Sequence, residues 1–206
     1  MNPGYSPRNL EKIKENLAIL NVDAVIKETD IFEIANSQIK SPCYLCARMR
    51  RGSLYRLAEE LGCNKIALGH HFDDVIETTL MNMLNAGSYQ TMMPKLHSDN
   101  FNGMELIRPL YYVREKDIVA WKNYNGLSFL QCACKFTEMI DENEIYASKR
   151  KETKELIHML EKKNPGIAMN IFKSAYNINM NMILGYKDST GHHFFLEDYD
   201  KKVGND

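Results

Sequence analysis

Four of the five cysteines stand in two close pairs, Cys43/Cys46 and Cys132/Cys134. Thiolates are soft ligands suited to zinc, copper(I) and iron–sulfur clusters. The two residues between Cys43 and Cys46 let both sulfurs reach one metal from a turn entering a helix. A closed zinc site would use four thiols, whereas an iron–sulfur cluster with an open iron would use three and leave one spare. The spacing leaves both open. Cys132-x-Cys134 spreads its ligands less widely, so only one of that pair is expected to bind. Cys63 follows a helix end and reads as a core-packing thiol.

A second group is Gly69-His70-His71-Phe72-Asp73-Asp74. Two imidazoles and two carboxylates in five positions suit a nucleotide, a Mg²⁺ ion or a substrate hydroxyl. His70, His71, Asp73 and Asp74 are the candidate catalytic residues. Gly69, His70 and Asp74 are the candidate cofactor-binding residues, Gly69 because it permits close backbone approach or an unusual φ. Glu77 lies one turn further on. The purely structural alternative, an aspartate capping a helix and its dipole, accounts for one of the two carboxylates.

The third group is cationic. Arg48, Arg51 and Tyr55 fall on one helix face, with Arg50 and Arg56 nearby. An arginine cluster beside a tyrosine suits phosphate contact with base stacking; the alternative is a solvated face. Arg48, Arg50, Arg51 and Arg56 are the candidate RNA-binding residues. Lys149, Arg150, Lys151 and Lys154 alternate with Glu152 and Glu155 and read as an ordinary exposed helix, with RNA contact as the lesser option. His192 and His193 have no assigned role.

These residues need elements to hold them. Ser6-Pro7 starts a helix carrying Leu10, Ile13, Leu17 and Leu20, which Asn21 closes. Ala24-Val25-Ile26 reads as a short buried strand, and 29–42 as a loop or weak helix. Leu45 to Leu61 is a helix with Leu54, Leu57, Ala58 and Leu61 on its apolar face and Gly62 as its stop. Lys65 to Gly69 reads as a parallel-sheet strand. Asp73 or Asp74 caps the next helix, which ends at Asn85-Ala86-Gly87. The stretch 88–103 looks irregular, Met104 to Leu110 is a strand, and 114–125 is a helix around Ile118 and Trp121. A charged helix spans roughly 141–163, broken by Asn164-Pro165-Gly166. The last helix carries Ile171, Ala175, Ile178 and Met182, and the tail from Gly185 has no clear period. This order predicts an α/β fold with a parallel sheet, in which ligands sit beyond the carboxyl ends of the strands. The turn after residue 69 is such a place.

With 206 residues and 44% hydrophobic content, the chain has the material for a real core. Its net charge of −1 confines any nucleic-acid binding to a local basic patch. No apolar run approaches a membrane span and no signal pattern opens the chain, so a cytoplasmic protein without membrane contact is expected.

Cys43-x-x-Cys46-Ala47-Arg48-Met49-Arg50-Arg51-Gly52, the run Lys65 to Asp74, and Glu77-Thr78 together resemble the TtcA family. These are tRNA 2-thiocytidine synthetases of the PP-loop ATPase superfamily. Met93-Pro94-Lys95-Leu96, the run Ile107 to Ile118 and the late cysteine region resemble it too. The resemblance covers about residues 5–180. It implies a Rossmann-like adenine-nucleotide α-hydrolase fold that adenylates the C2 oxygen of a tRNA cytidine with ATP and Mg²⁺. Sulfur from a cysteine desulfurase or other donor, relayed through a [4Fe-4S] cluster, then displaces AMP. Cys43 and Cys46 match two of the three cluster cysteines; the third falls on Cys132 or Cys134, with Cys132 favoured by its place after Phe129-Leu130. Homodimerisation is left open.

The resemblance also implies three units: a PP-loop α/β domain over 1–135, a helical extension over 136–185 and a polar tail over 186–206. One departure stands out. The chain contains no Ser-Gly-Gly-x-Asp-Ser loop and no two adjacent glycines. The expectation is an N-terminally truncated domain, inactive in ATP turnover on its own. Lysidine synthesis needs no cysteine pairs, so the alternatives kept are uridine thiolation and a non-catalytic metal-binding tRNA module.

Overall fold

The computed structural model describes residues 1–37, 42–130, 149–197 and 199, and at 36 and 42–44 the backbone alone. Ser6 caps α1 (Pro7–Ile19) by accepting from the Asn9 N–H, and Pro7 occupies the first turn, where its missing N–H costs nothing. Asn21 ends the helix at φ 50°. Asn16, buried on α1, clasps the backbone of Ser128: its amide donates to the carbonyl at 2.8 Å and its carbonyl accepts from the N–H at 3.3 Å.

α2 (Ile31–Asn36) packs on α3 (Pro42–Glu60), which carries the early cysteine pair and the arginines. Gly62, at φ +69°, turns the chain out of α3 in a left-handed conformation that a side chain would resist. β1 (Lys65–Ala67) follows, then α4 (Phe72–Ala86), β2 (Lys95–His97), β3 (Glu105–Ile107) and α5 (Glu115–Tyr124). After the undescribed stretch come α6 (Lys149–Lys163), α7 (Ile167–Ser174) and the strands β4 (Gly185–Asp188) and β5 (Gly191–Phe194).

The central sheet has the order β1-β3-β2, with β1 parallel and β2 antiparallel to β3. Ile66, Leu106 and Leu96 lie level across it and point to one face, because side chains alternate along a strand. The best-packed region lies elsewhere. Phe72, Val75 and Ile76 of α4 meet Ile157 of α6 and Ala168 and Phe172 of α7, with Tyr111 alongside. The rings of Phe72 and Phe172 stack with centroids 4.6 Å apart. α4 is therefore locked into position by α6 and α7.

Several expectations are corrected. Ala24-Val25-Ile26 forms no strand: Val25 is 60% exposed, and the nearest pairing is a single bridge between Asn2 and Glu28. An apolar triplet without a ladder beside it has nothing to hold it extended. β1 is exposed at Lys65 and Ala67 rather than buried on both faces. Part of the stretch 88–103 forms β2, and the tail forms the hairpin β4–β5. The last helix stops at Ser174, leaving Ile178 and Met182 exposed. Leu61 and Trp121 are about half exposed, and Cys63 is exposed, not packed in the core.

Candidate functional site

A cleft of about 660 Å³ runs between α3 and the sheet. Leu68, Leu96 and Leu106 form its apolar floor, and Ala47, Arg48, Arg51, Gly52 and Tyr55 form its helical wall. Those five positions recur at i, i+1, i+4, i+5 and i+8, one face of a helix. His70 and Arg108 enter from just beyond the carboxyl ends of β1 and β3. The loop from Ser98 to Phe101 closes the opposite end, where Phe101 stacks on Tyr55 with centroids 4.9 Å apart.

The polar groups of this cleft are incompletely paired. His70 Nδ1 and Arg108 Nε are both buried without a hydrogen-bond partner. A buried donor or acceptor left unmade costs about 1–3 kcal/mol, and both of these atoms belong to residues that line the cleft. Arg108 is steadied by its own Nη1, which donates to the Met93 carbonyl. Burial pushes the Arg108 guanidinium below its ordinary value, and the Arg51 cation across the cleft pushes it the same way. Burial likewise lowers His70; Asp74 opposes that, while Arg108, Arg150 and His71 add to it. Like charges converging on an apolar floor suit an anion that neutralises them.

The rest of the His-His-Phe-Asp-Asp run is turned to structural work. The cap of α4 is His71, not an aspartate. Its Nδ1 accepts from the Asp74 N–H at 3.4 Å, and Asp74 Oδ2 accepts from the His71 N–H at 3.0 Å. Asp73 accepts from Arg114 Nε at 3.1 Å and from the Glu115 N–H at 2.7 Å, so it caps α5 instead of facing the cleft. Arg114 also pairs with Glu161 at 3.0 Å and lies over the Phe72 ring. Asp74 and the buried Glu77 both accept from Arg150. Gly69 has an ordinary φ and open space beside it, so its conformation does not require glycine.

Of the four expected RNA-binding arginines, Arg48 and Arg51 line the cleft. Arg48 is shared with a hollow of about 420 Å³ between α2 and α3, which Arg56 also lines. Arg50 is exposed and lines neither. Cys43 and Cys46 occupy positions three apart in α3, and Cys46 is partly buried. Cys132 and Cys134 lie outside the described residues. Among the described residues, no three His, Cys, Asp or Glu side chains are grouped to hold a metal ion. None of the described helices is long and apolar enough to cross a membrane.

Residues 8–146 match the PP-loop domain family. A tRNA-cytidine(32) 2-sulfurtransferase of Geotalea uraniireducens is 37% identical over 188 residues, which cover 89% of this chain and 71% of that protein. The chain belongs to the PP-loop family of tRNA-cytidine(32) 2-sulfurtransferases. The Tolumonas auensis protein of the same name is 36% identical over 189 residues, covering 90% of this PP-loop chain and 59% of the relative. Among solved structures, the U34-tRNA thiolase NcsA from Methanococcus maripaludis, with its [4Fe-4S] cluster, aligns at a TM-score of 0.60. It is 20% identical, and the alignment covers 88% of this chain and 60% of that one. That likeness shows the α/β fold.

Two residues of this PP-loop chain escape a reading of motifs. Arg108 carried no assigned role, although it follows a strand at its carboxyl end, where ligands gather in open α/β sheets. Arg150 was read as solvent-facing, yet Arg150, Lys154, Ile157 and Glu161 recur at i, i+4, i+7 and i+11. A stripe containing a buried isoleucine faces inward.

Proposed function

We propose that this chain takes part in ATP-dependent thiolation of a tRNA cytidine to 2-thiocytidine, with the cleft between α3 and the sheet as its phosphate-binding site. The observation that carries the reaction is the 37% identity, over 188 residues, to a tRNA-cytidine(32) 2-sulfurtransferase. The unpaired His70 Nδ1 and Arg108 Nε support the location. Arg48, Arg51 and Arg108 supply fixed positive charge for nucleotide or tRNA phosphates. His70, with its pKa lowered by burial, is neutral at physiological pH and offers Nδ1 as a donor or an acceptor according to its tautomer. Leu106 in the floor is buried, and a bound phosphate lying against it would lose part of its water, which strengthens these contacts.

The cysteines fit a [4Fe-4S] cluster by their chemistry. Cys43 and Cys46 would supply two thiolates from the first turns of α3, and Cys132 or Cys134 a third. When bound, the cluster supplies an iron with an open position at which sulfur can be carried. α3 then has two tasks: its start holds thiolates, and its next turns carry Arg48 and Arg51 toward phosphate. Mg²⁺ enters as the counterion of the nucleotide, since Asp73 and Asp74 are already engaged by arginines. The partners are tRNA and a sulfur donor such as a cysteine desulfurase, in the cytoplasm.

The test is anaerobic incubation of the iron-loaded protein with tRNA, ATP, Mg²⁺ and a sulfide source, followed by mass spectrometry of the digested nucleosides. Formation of 2-thiocytidine that requires ATP is the expected result, and it would overturn the expectation, drawn from the absent Ser-Gly-Gly-x-Asp-Ser loop, that this chain is inactive in ATP turnover on its own. Binding of tRNA with neither thiolation nor ATP turnover would support a metal-binding tRNA module instead, and 2-thiouridine would support the uridine chemistry.

A further inference from the structure

We infer that Arg150 is a positioning residue of the cleft: through Asp74 it fixes the turn that carries His70. The inference rests on reading the cleft as the functional site, but its geometry is independent of the reaction. Arg150 Nη1 donates to Asp74 Oδ1 at 2.7 Å, across 76 positions of sequence, and to Glu77 Oε2 at 3.3 Å. The other Asp74 oxygen accepts from the His71 N–H at 3.0 Å. One carboxylate therefore connects a guanidinium on α6 to the backbone amide next to His70.

The helix that carries the guanidinium is held along the same stripe. Ile157, two turns on, is buried in the core. Lys154 pairs with Glu115 at 2.5 Å, and Glu161 pairs with Arg114 at 3.0 Å. α6 is held against α4 and α5 from Lys154 to Glu161, and Arg150 reaches the turn from the first turn of that helix. Glu77 is 4% exposed, and its carboxyl is pushed above the ordinary range first by burial, with the Arg150 cation opposing. Two carboxylates one turn apart repel each other, and Arg150 is the cation that both share.

A purely structural Arg150 would serve only to neutralise Glu77, and the two roles separate experimentally. In the full chain, amide exchange of His71 is followed by NMR relative to amides in the middle of α4, in Arg150→Met and in Arg150→Met/Glu77→Gln. The inference predicts His71 exchange about tenfold faster in both variants, because a charge-assisted anchor of its hydrogen bond is lost. Glu77→Gln removes the buried charge and restores thermal stability without restoring His71. The inference is overturned if His71 exchange is unchanged in Arg150→Met, or if Glu77→Gln returns it to the native rate. Should Arg150→Met fail to fold, the double variant alone decides. Absence of tRNA thiolation would count against the proposed function and leave this result intact.

Discussion

At the scale of single residues, the cleft divides the basic and acidic side chains of the motif region into users of the cavity and holders of the frame. Arg51 faces the cleft and Arg50 does not. Arg51→Met is therefore expected to weaken tRNA binding and to lower the slope of log K against log salt by about 1, as loss of one phosphate contact should. Arg50→Met should change that slope less, and a salt titration of each variant reads the difference. His70 gives a pH prediction. Its folded pKa is lowered, so below about 6.5, the ordinary value, the unfolded chain binds a proton that folded His70 resists. Stability contributed by His70 is therefore lost as pH falls. Urea midpoints measured from pH 7.5 to about 5.5 should drop less steeply in His70→Gln than in the native chain. An identical slope would mean that the imidazole is as solvated in the folded state as in the unfolded one.

At the scale of elements, the framework depends on α6 and α7 closing over α4. Ile157 sits among Phe72, Ile76 and Phe172. Ile157→Ala should cost about 2–4 kcal/mol, the usual range for truncating a well-packed aliphatic side chain. Chemical denaturation checks this, and a loss under 1 kcal/mol would show that α6 is only loosely docked. Element ends were largely legible in the sequence because local chemistry decides them. Ser6-Pro7, Gly62, Gly87 and Gly126 fall where the helices start or stop. Ala24-Val25-Ile26 misleads because strand formation depends on a neighbour that local sequence does not specify. β2 escapes because three residues are too few for alternation to register. The cap of α4 was misread for a related reason: His71, Asp73 and Asp74 all suit a helix start, and only the backbone decides which one takes it. The facing of each charge was equally hidden. Arg114 and Arg150 look like surface cations until α5 and α6 bring them against Asp73 and Asp74.

At the scale of the whole molecule, one helix joins two chemistries. α3 starts with a cysteine pair and continues as the arginine-bearing wall of a cleft whose far side is the sheet. That arrangement fits membership of a family whose relatives are tRNA-cytidine(32) 2-sulfurtransferases, and it is what the proposed function requires: thiolates near phosphate-binding charge. The cleft's positive charge comes from arginines on α3 and after β3, while Asp73 and Asp74 are paired with Arg114 and Arg150. The account depends most directly on what the cysteines bind. Protein purified without oxygen should be brown and hold iron and acid-labile sulfide in the ratio of one [4Fe-4S] cluster per chain, and Cys43→Ala should lose both. A colourless protein with stoichiometric zinc, or a Cys43→Ala variant with unchanged iron, would contradict it.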